Sequence, residues 1–176
     1  MSHLIVVSSD AMVGEDLAYF KTLSSYRKCF QGGAEITNVS SIYPSVTFPA
    51  HATMITGMYP EHHGIFSNMQ LIPGSEPTPW QWDYDFLRCT DIFRAAKATG
   101  KTTAAVFWPV TAKNPAIDYH IADYWAQGGT DTTLQAFART GSTPEVLEIV
   151  KKNRHLFEGV EREHPQRDDF GMACAA

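Results

Sequence analysis

Two apolar runs that lack alternation constrain the fold of this chain most. They are Leu4-Ile5-Val6-Val7-Ser8 and Thr103-Ala104-Ala105-Val106-Phe107, the second broken by Trp108-Pro109. A strand with one wet face alternates apolar and polar residues. A strand covered on both faces does not, and that is the mark of a parallel sheet. Ala34 to Ile42 reads as a further strand, and Ile117 to Tyr124 as another. Helical segments lie between them. Glu15 to Cys29 carries spaced apolar residues (Leu17, Phe20, Leu23) for one or two short helices, stopped by Gln31-Gly32-Gly33. Asp91 to Thr99 is a helix, and Thr143-Pro144-Glu145 opens another that runs to Asn153. Phe170 to Ala176 reads as an interrupted helix. The expectation is an α/β fold, a mainly parallel sheet flanked by helices.

The first run ends in Ser9-Asp10, which puts a carboxylate at the carboxyl end of a strand, where open α/β sheets carry their sites. On local sequence alone Asp10 is a turn or capping aspartate. A second candidate is Thr47. Phe48 to Thr56 suits a short helix with Pro49 in its first turn and Gly57 as a stop. Thr47 then sits at the helix N-terminus, where free backbone N–H groups and the macrodipole attract anions. Taken alone, Thr47 reads as an N-cap. A hydroxyl at that place can also meet a phosphoryl group.

The surrounding residues decide between these readings. Tyr43-Pro44-Ser45-Val46-Thr47-Phe48-Pro49-Ala50-His51 continues through Thr56-Gly57-Met58-Tyr59-Pro60-Glu61-His62-His63-Gly64-Ile65 to Asn68. This stretch resembles the nucleophile segment of the type I phosphodiesterase/nucleotide pyrophosphatase family, within the alkaline phosphatase superfamily. The resemblance implies an alkaline phosphatase-like catalytic domain, of which residues 1–176 would be the N-terminal portion, incomplete at the C-terminus. It implies Thr47 as catalytic nucleophile and as metal ligand, Asp10 as metal ligand, and Asn68 as a substrate-binding residue that donates to a phosphoryl oxygen. Without the resemblance Asn68 reads as a loop residue. His51 and His63 do not match the family's metal ligands and read as packing or supporting histidines, with His62 facing solvent. Two departures stand out. The family usually places glycine after the aspartate, where this chain has Ala11, and glycine after Trp-Pro, where it has Val110.

The implied reaction is hydrolysis of phosphodiester or pyrophosphate bonds with two divalent metal ions, zinc being expected, in the complete enzyme. Its substrate would be a small phosphate ester or a nucleotide. Phosphonoacetate hydrolases carry a similar threonine loop, so C–P cleavage is an alternative. A phosphate- or partner-binding module without catalysis is another. The family's downstream Asp-x-x-x-His, Asp-His and final histidine have no counterpart after Asn68. The chain by itself is therefore expected to bind zinc weakly and to turn over negligibly.

Composition excludes other classes. A net charge of -5 argues against a nucleic-acid polymer as partner. No apolar run reaches membrane-spanning length, and Met1-Ser2-His3 leads directly into the first run, so no secretory leader is expected. Three scattered cysteines, Cys29, Cys89 and Cys174, fit reduced thiols and a cytoplasmic protein. Gly100-Lys101-Thr102 mimics the end of a phosphate-binding loop but lacks its earlier glycine, since Ala95 stands there. Trp80, Trp82, Tyr84 and Phe86 form an aromatic cluster after the Pro73 to Pro79 loop, with packing as its expected role. Glu161 to Asp169 reads as a charged, solvated stretch.

Overall fold

The computed structural model describes residues 3–30, 32–76, 78–157, 159 and 162–176. Gln31, Pro77 and Glu161, which fall in segments read above, lie outside the described residues. The chain divides into two compact units, Met1–Ser41 and Ile42–Ala176.

The first unit is a pair of short helices, α1 (Gly14–Phe20) and α2 (Ser24–Phe30), as the spacing of Leu17, Phe20 and Leu23 predicts. The Asp16 carboxylate reaches back to accept from the Val13 N–H at 2.9 Å, satisfying a donor at the start of α1. Tyr26 and Phe30 stack at 4.6 Å on successive turns of α2, and Lys21 pairs with Glu35 at 2.5 Å. None of the described residues in this unit is buried. Two expected strands are absent here: residues 4–8 and 34–42 are irregular, and Ile5 is 85% exposed. A strand persists only when its N–H and C=O groups find a ladder and its side chains find a face to cover. Apolar sequence states what a segment would bury, and neither segment has that cover here.

The second unit holds the sheet. Strands β1 (Ala104–Val106) and β2 (Tyr119–Ile121) pair in parallel, Ala105 opposite His120. Both lie inside the runs that the sequence marks as strands, and helices flank them. The helices are α3 (Thr47–Thr56), α4 (Pro60–His63), α5 (Ile92–Ala98), α6 (Thr133–Arg139), α7 (Pro144–Asn153) and α8 (Gln166–Ala175). Local chemistry starts them: the Asp91 carboxylate accepts from Arg94 N–H at 2.9 Å and the Thr143 hydroxyl from Val146 N–H at 3.4 Å. Helix α6 is missing from the sequence reading. Its signal was present, because Thr132 and Gln135 form a reciprocal capping box.

Two apolar clusters give this unit its interior. Ile121, Phe137, Val146, Val150, Phe157 and Phe170 form one, behind the sheet's second strand and helices α6 to α8. Phe48, Ala52, Ile65 and Val110 form the other, with Trp80, Trp82, Phe86 and Leu87 packed against it. Trp80, Trp82 and Phe86 of the aromatic cluster after the Pro-rich loop thus pack on the core, while the Tyr84 ring carries Arg94 over its face. The stretch 161–169 is not simply solvated, because α8 starts at Gln166 and Arg167 is buried. The Arg167 guanidinium donates to the Asp123 carboxylate at 3.0 Å and the Tyr124 carbonyl at 3.2 Å, and lies 4.1 Å from the Phe107 ring centre. That ring passes so close to α8 that a Cβ on Gly171 would meet it at 2.9 Å. Only glycine fits there.

Candidate active site

Helix α3 organises the candidate site. Its N-cap is Val46, with no side-chain cap, so Thr47 is the first helical residue and its hydroxyl does not fill the capping role. Gly57 closes the helix in the left-handed region at φ 67°, donating its N–H to the Thr53 carbonyl at 2.8 Å. The positive end of the helix dipole at such an N-terminus attracts an oxyanion.

Asn68 comes to this helix start from twenty positions away. Its side-chain oxygen accepts from the Phe48 N–H at 2.8 Å. Because an N–H must donate to an acceptor, this contact fixes which arm of the amide is oxygen. The other arm of the same planar group is then an NH2 donor. Asn68 is itself anchored, its carbonyl accepting from Gln81 N–H at 2.8 Å. Gln81 in turn donates from Nε2 to the Ser67 carbonyl at 2.8 Å and the Met69 carbonyl at 3.2 Å.

The motif histidines brace the helix. His51 is buried, and its Nδ1–H donates to the Thr47 carbonyl at 2.8 Å. His63 is fully buried between α3 and the following turn. Ile65 N–H donates to His63 Nδ1 at 3.1 Å, so the ring proton sits on Nε2 and is donated to the Thr53 hydroxyl at 3.0 Å. Burial lowers the pKa of His63 from its ordinary value, which keeps this neutral tautomer. His62 is exposed, 3.5 Å from Glu61. Gly64, at φ 84°, leaves room for the Arg88 side chain, which a Cβ would meet at 2.9 Å.

Asp10 belongs to the first unit. It is exposed, and its Oδ1 accepts from Ala11 N–H at 3.0 Å. Ala11 adopts φ 57°, and Val110, in the second unit, adopts φ 58°. Both are places where the family pattern has glycine, and both hold the backbone in the region that disfavours an L side chain. A carboxylate and a hydroxyl are oxygen donors that suit a hard or borderline divalent cation. Among the described residues no three His, Cys, Asp or Glu side chains gather into a metal-holding group.

Beside the helix start, the Phe48 ring lies 5.3 Å from Trp80. Trp80, Trp82, Phe86 and Tyr124, with Lys113 and Arg139, line a cavity of about 160 Å³. Trp82 stands perpendicular to Tyr124 at 4.5 Å and to Trp125 at 5.4 Å. No helix among the described residues is long and apolar enough to cross a membrane.

The site lies in an α/β unit, a threonine-headed helix start met by an asparagine, and comparison with known proteins gives the family. The profile of the type I phosphodiesterase / nucleotide pyrophosphatase family matches residues 4–170, so the chain belongs to that family of hydrolases. Human ectonucleotide pyrophosphatase/phosphodiesterase family member 1 is 32% identical over 92 residues, 49% of this chain and 10% of that protein. The Caenorhabditis elegans ectonucleotide pyrophosphatase/phosphodiesterase C27A7.3 is 33% identical over 112 residues, 60% of this chain and 15% of that protein. The Xenopus laevis bis(5'-adenosyl)-triphosphatase enpp4 is 26% identical over 113 residues, 60% of this chain and 24% of that protein. The matched segment is thus a small part of each relative's length.

Proposed function

We propose that residues 1–176 are the N-terminal portion of a single catalytic domain that hydrolyses phosphodiester or pyrophosphate bonds in small phosphate esters or nucleotides. Thr47 is the nucleophile. The observation that supports the reading is the bond from the Phe48 N–H to the Asn68 side-chain oxygen, which ties an asparagine amide to the residue next to Thr47 at a helix start. The positive end of the α3 dipole and the Asn68 NH2 stabilise the phosphoryl oxygens as negative charge builds on them. His51 fixes the Thr47 peptide by its bond to the Thr47 carbonyl. Asp10 and the Thr47 hydroxyl would be two donors to divalent metal ions, zinc by expectation, with the remaining donors coming from outside the described residues. When bound, such ions lower the pKa of the threonine hydroxyl and of water. The cavity lined by Trp80, Trp82 and Tyr124 suits the flat organic group of a substrate.

The test is hydrolysis of an aryl phosphodiester, in a chain carrying downstream sequence. Thr47→Ala should lower turnover by several orders of magnitude, since nucleophile and metal contact are lost together. Asn68→Ala should cost roughly 10²–10³, and Thr47→Ser should be mildest. Near-normal hydrolysis by Thr47→Ala would end the nucleophile assignment.

A further inference from the structure

The loop that leaves β1 is strained. Phe107, Val110 and Lys113 all have positive φ, at 54°, 58° and 62°. For a β-branched residue such as Val110 this is costly, and strain of that kind persists only where neighbours hold it. The holder is Thr111, which is completely buried. Its hydroxyl lies 2.6 Å from the Trp108 carbonyl, which has no proton to give, so Thr111 donates to it. The same hydroxyl oxygen lies 3.0 Å from His120 Nε2, so the imidazole must donate to Thr111 and carry its proton on Nε2. His120 is 1% exposed, in β2.

The bonds continue from this loop to the head of α3. The Trp108 indole N–H donates to the His51 carbonyl at 3.3 Å, and the His51 and Trp108 rings meet edge to face at 5.2 Å. His51 Nδ1–H then donates to the Thr47 carbonyl at 2.8 Å. One contiguous set of bonds thus runs from His120 in the sheet, through Thr111, Trp108 and His51, to the peptide of Thr47.

We propose that Thr111 is a positioning residue for Thr47: locked between the Trp108 carbonyl and His120, its hydroxyl keeps the strained loop in the one shape from which Trp108 and His51 hold the nucleophile's peptide. The inference rests on Thr47 being the nucleophile, but its test does not use turnover. Without the Thr111 hydroxyl, the Trp108 carbonyl loses its donor and the peptide beside Val110 is free to turn out of the left-handed region. The brace on His51 then slackens.

Nuclear magnetic resonance of the 176-residue chain decides the matter. In the unmodified chain, nitrogen-15 shifts should report a Nδ1–H tautomer at His51 and a Nε2–H tautomer at His120. Either ring in the opposite tautomer overturns the proposal, even if no variant folds. Thr111→Val keeps the shape and removes the hydroxyl. It should shift the His51 Nδ1 and Thr47 carbonyl signals and speed exchange of the His51 ring proton, while Thr111→Ser restores all three. Val146→Ala, a core change elsewhere in the unit, should leave them in place. If Thr111→Val lowers the melting temperature yet leaves His51 and Thr47 unmoved, Thr111 only stabilises the fold. The hydrolysis series on Thr47 can fail independently of these signals, so the two readings are separable.

Discussion

The two units of this chain treat apolar sequence in opposite ways. Residues 4–7 are the most continuously apolar stretch of the first unit, yet Leu4 is 77% exposed and Val7 71%. In the second unit, β1 has the less apolar sequence Ala104-Ala105-Val106, and it forms a strand with Ala105 buried. What differs is the neighbour. β1 has β2 beside it and Phe107 leads from it into the cluster around Phe170, whereas residues 4–8 join no strand. Hydrophobicity is a demand, and burial is its supply by other parts of the chain.

The largest expected effect separates the units by core truncation. Phe48 is 1% exposed among Ala52, Ile65 and Val110, so Phe48→Ala should cost about 3–5 kcal/mol of the second unit's stability. Val6 is 60% exposed, and Val6→Ala should change stability by less than about 0.5 kcal/mol. Denaturant unfolding, with amide exchange resolved by unit, measures both. A Val6→Ala loss as large as that of Phe48→Ala would show that residues 4–8 are covered in solution and would erase the contrast.

Acid should weaken the second unit through its buried histidines. Burial pushes the His120 pKa down from 6.5 to about 4, and lowers that of His63 as well. The folded chain therefore binds fewer protons than the unfolded chain between these values. Stability from His120 is fully present above pH 6.5 and is lost as pH falls towards 4, by about 3 kcal/mol in all. The first unit's histidine, His3, is exposed. Urea midpoints between pH 7.5 and 4 should fall less steeply for His120→Gln than for the unmodified chain. Equal slopes would mean that His120 is not held neutral.

The smallest expected effects come from the two departures from glycine. Val110 combines φ 58° with a buried side chain, so Val110→Gly relieves strain of about 1 kcal/mol but loses more in packing. A net loss of about 2 kcal/mol is expected. Ala11 has φ 57° and is exposed, so Ala11→Gly trades strain against chain entropy and should stay within about 0.5 kcal/mol. Melting temperatures of the two variants test this. A stabilising Val110→Gly would show that strain outweighs packing in the loop after β1.

The sequence by itself determined the features that depend on residues within about four positions of each other. Helix α3 with Pro49 inside and Gly57 at its end, the Asp91 and Thr143 caps, the identity of β1 and β2 as strands, and Thr47 at a helix start were all legible, because capping and turn chemistry are local. Helix α6 was equally local and could have been read from Thr132 and Gln135. The tertiary structure alone decided that Asn68 would turn its oxygen to Phe48 N–H, that Thr111 would join His120 to Trp108, and that Arg167 would be buried against Phe107. It alone left residues 4–8 uncovered. These outcomes depend on which distant groups arrive alongside, and a hydrogen bond or a buried face exists only when both of its partners are in place.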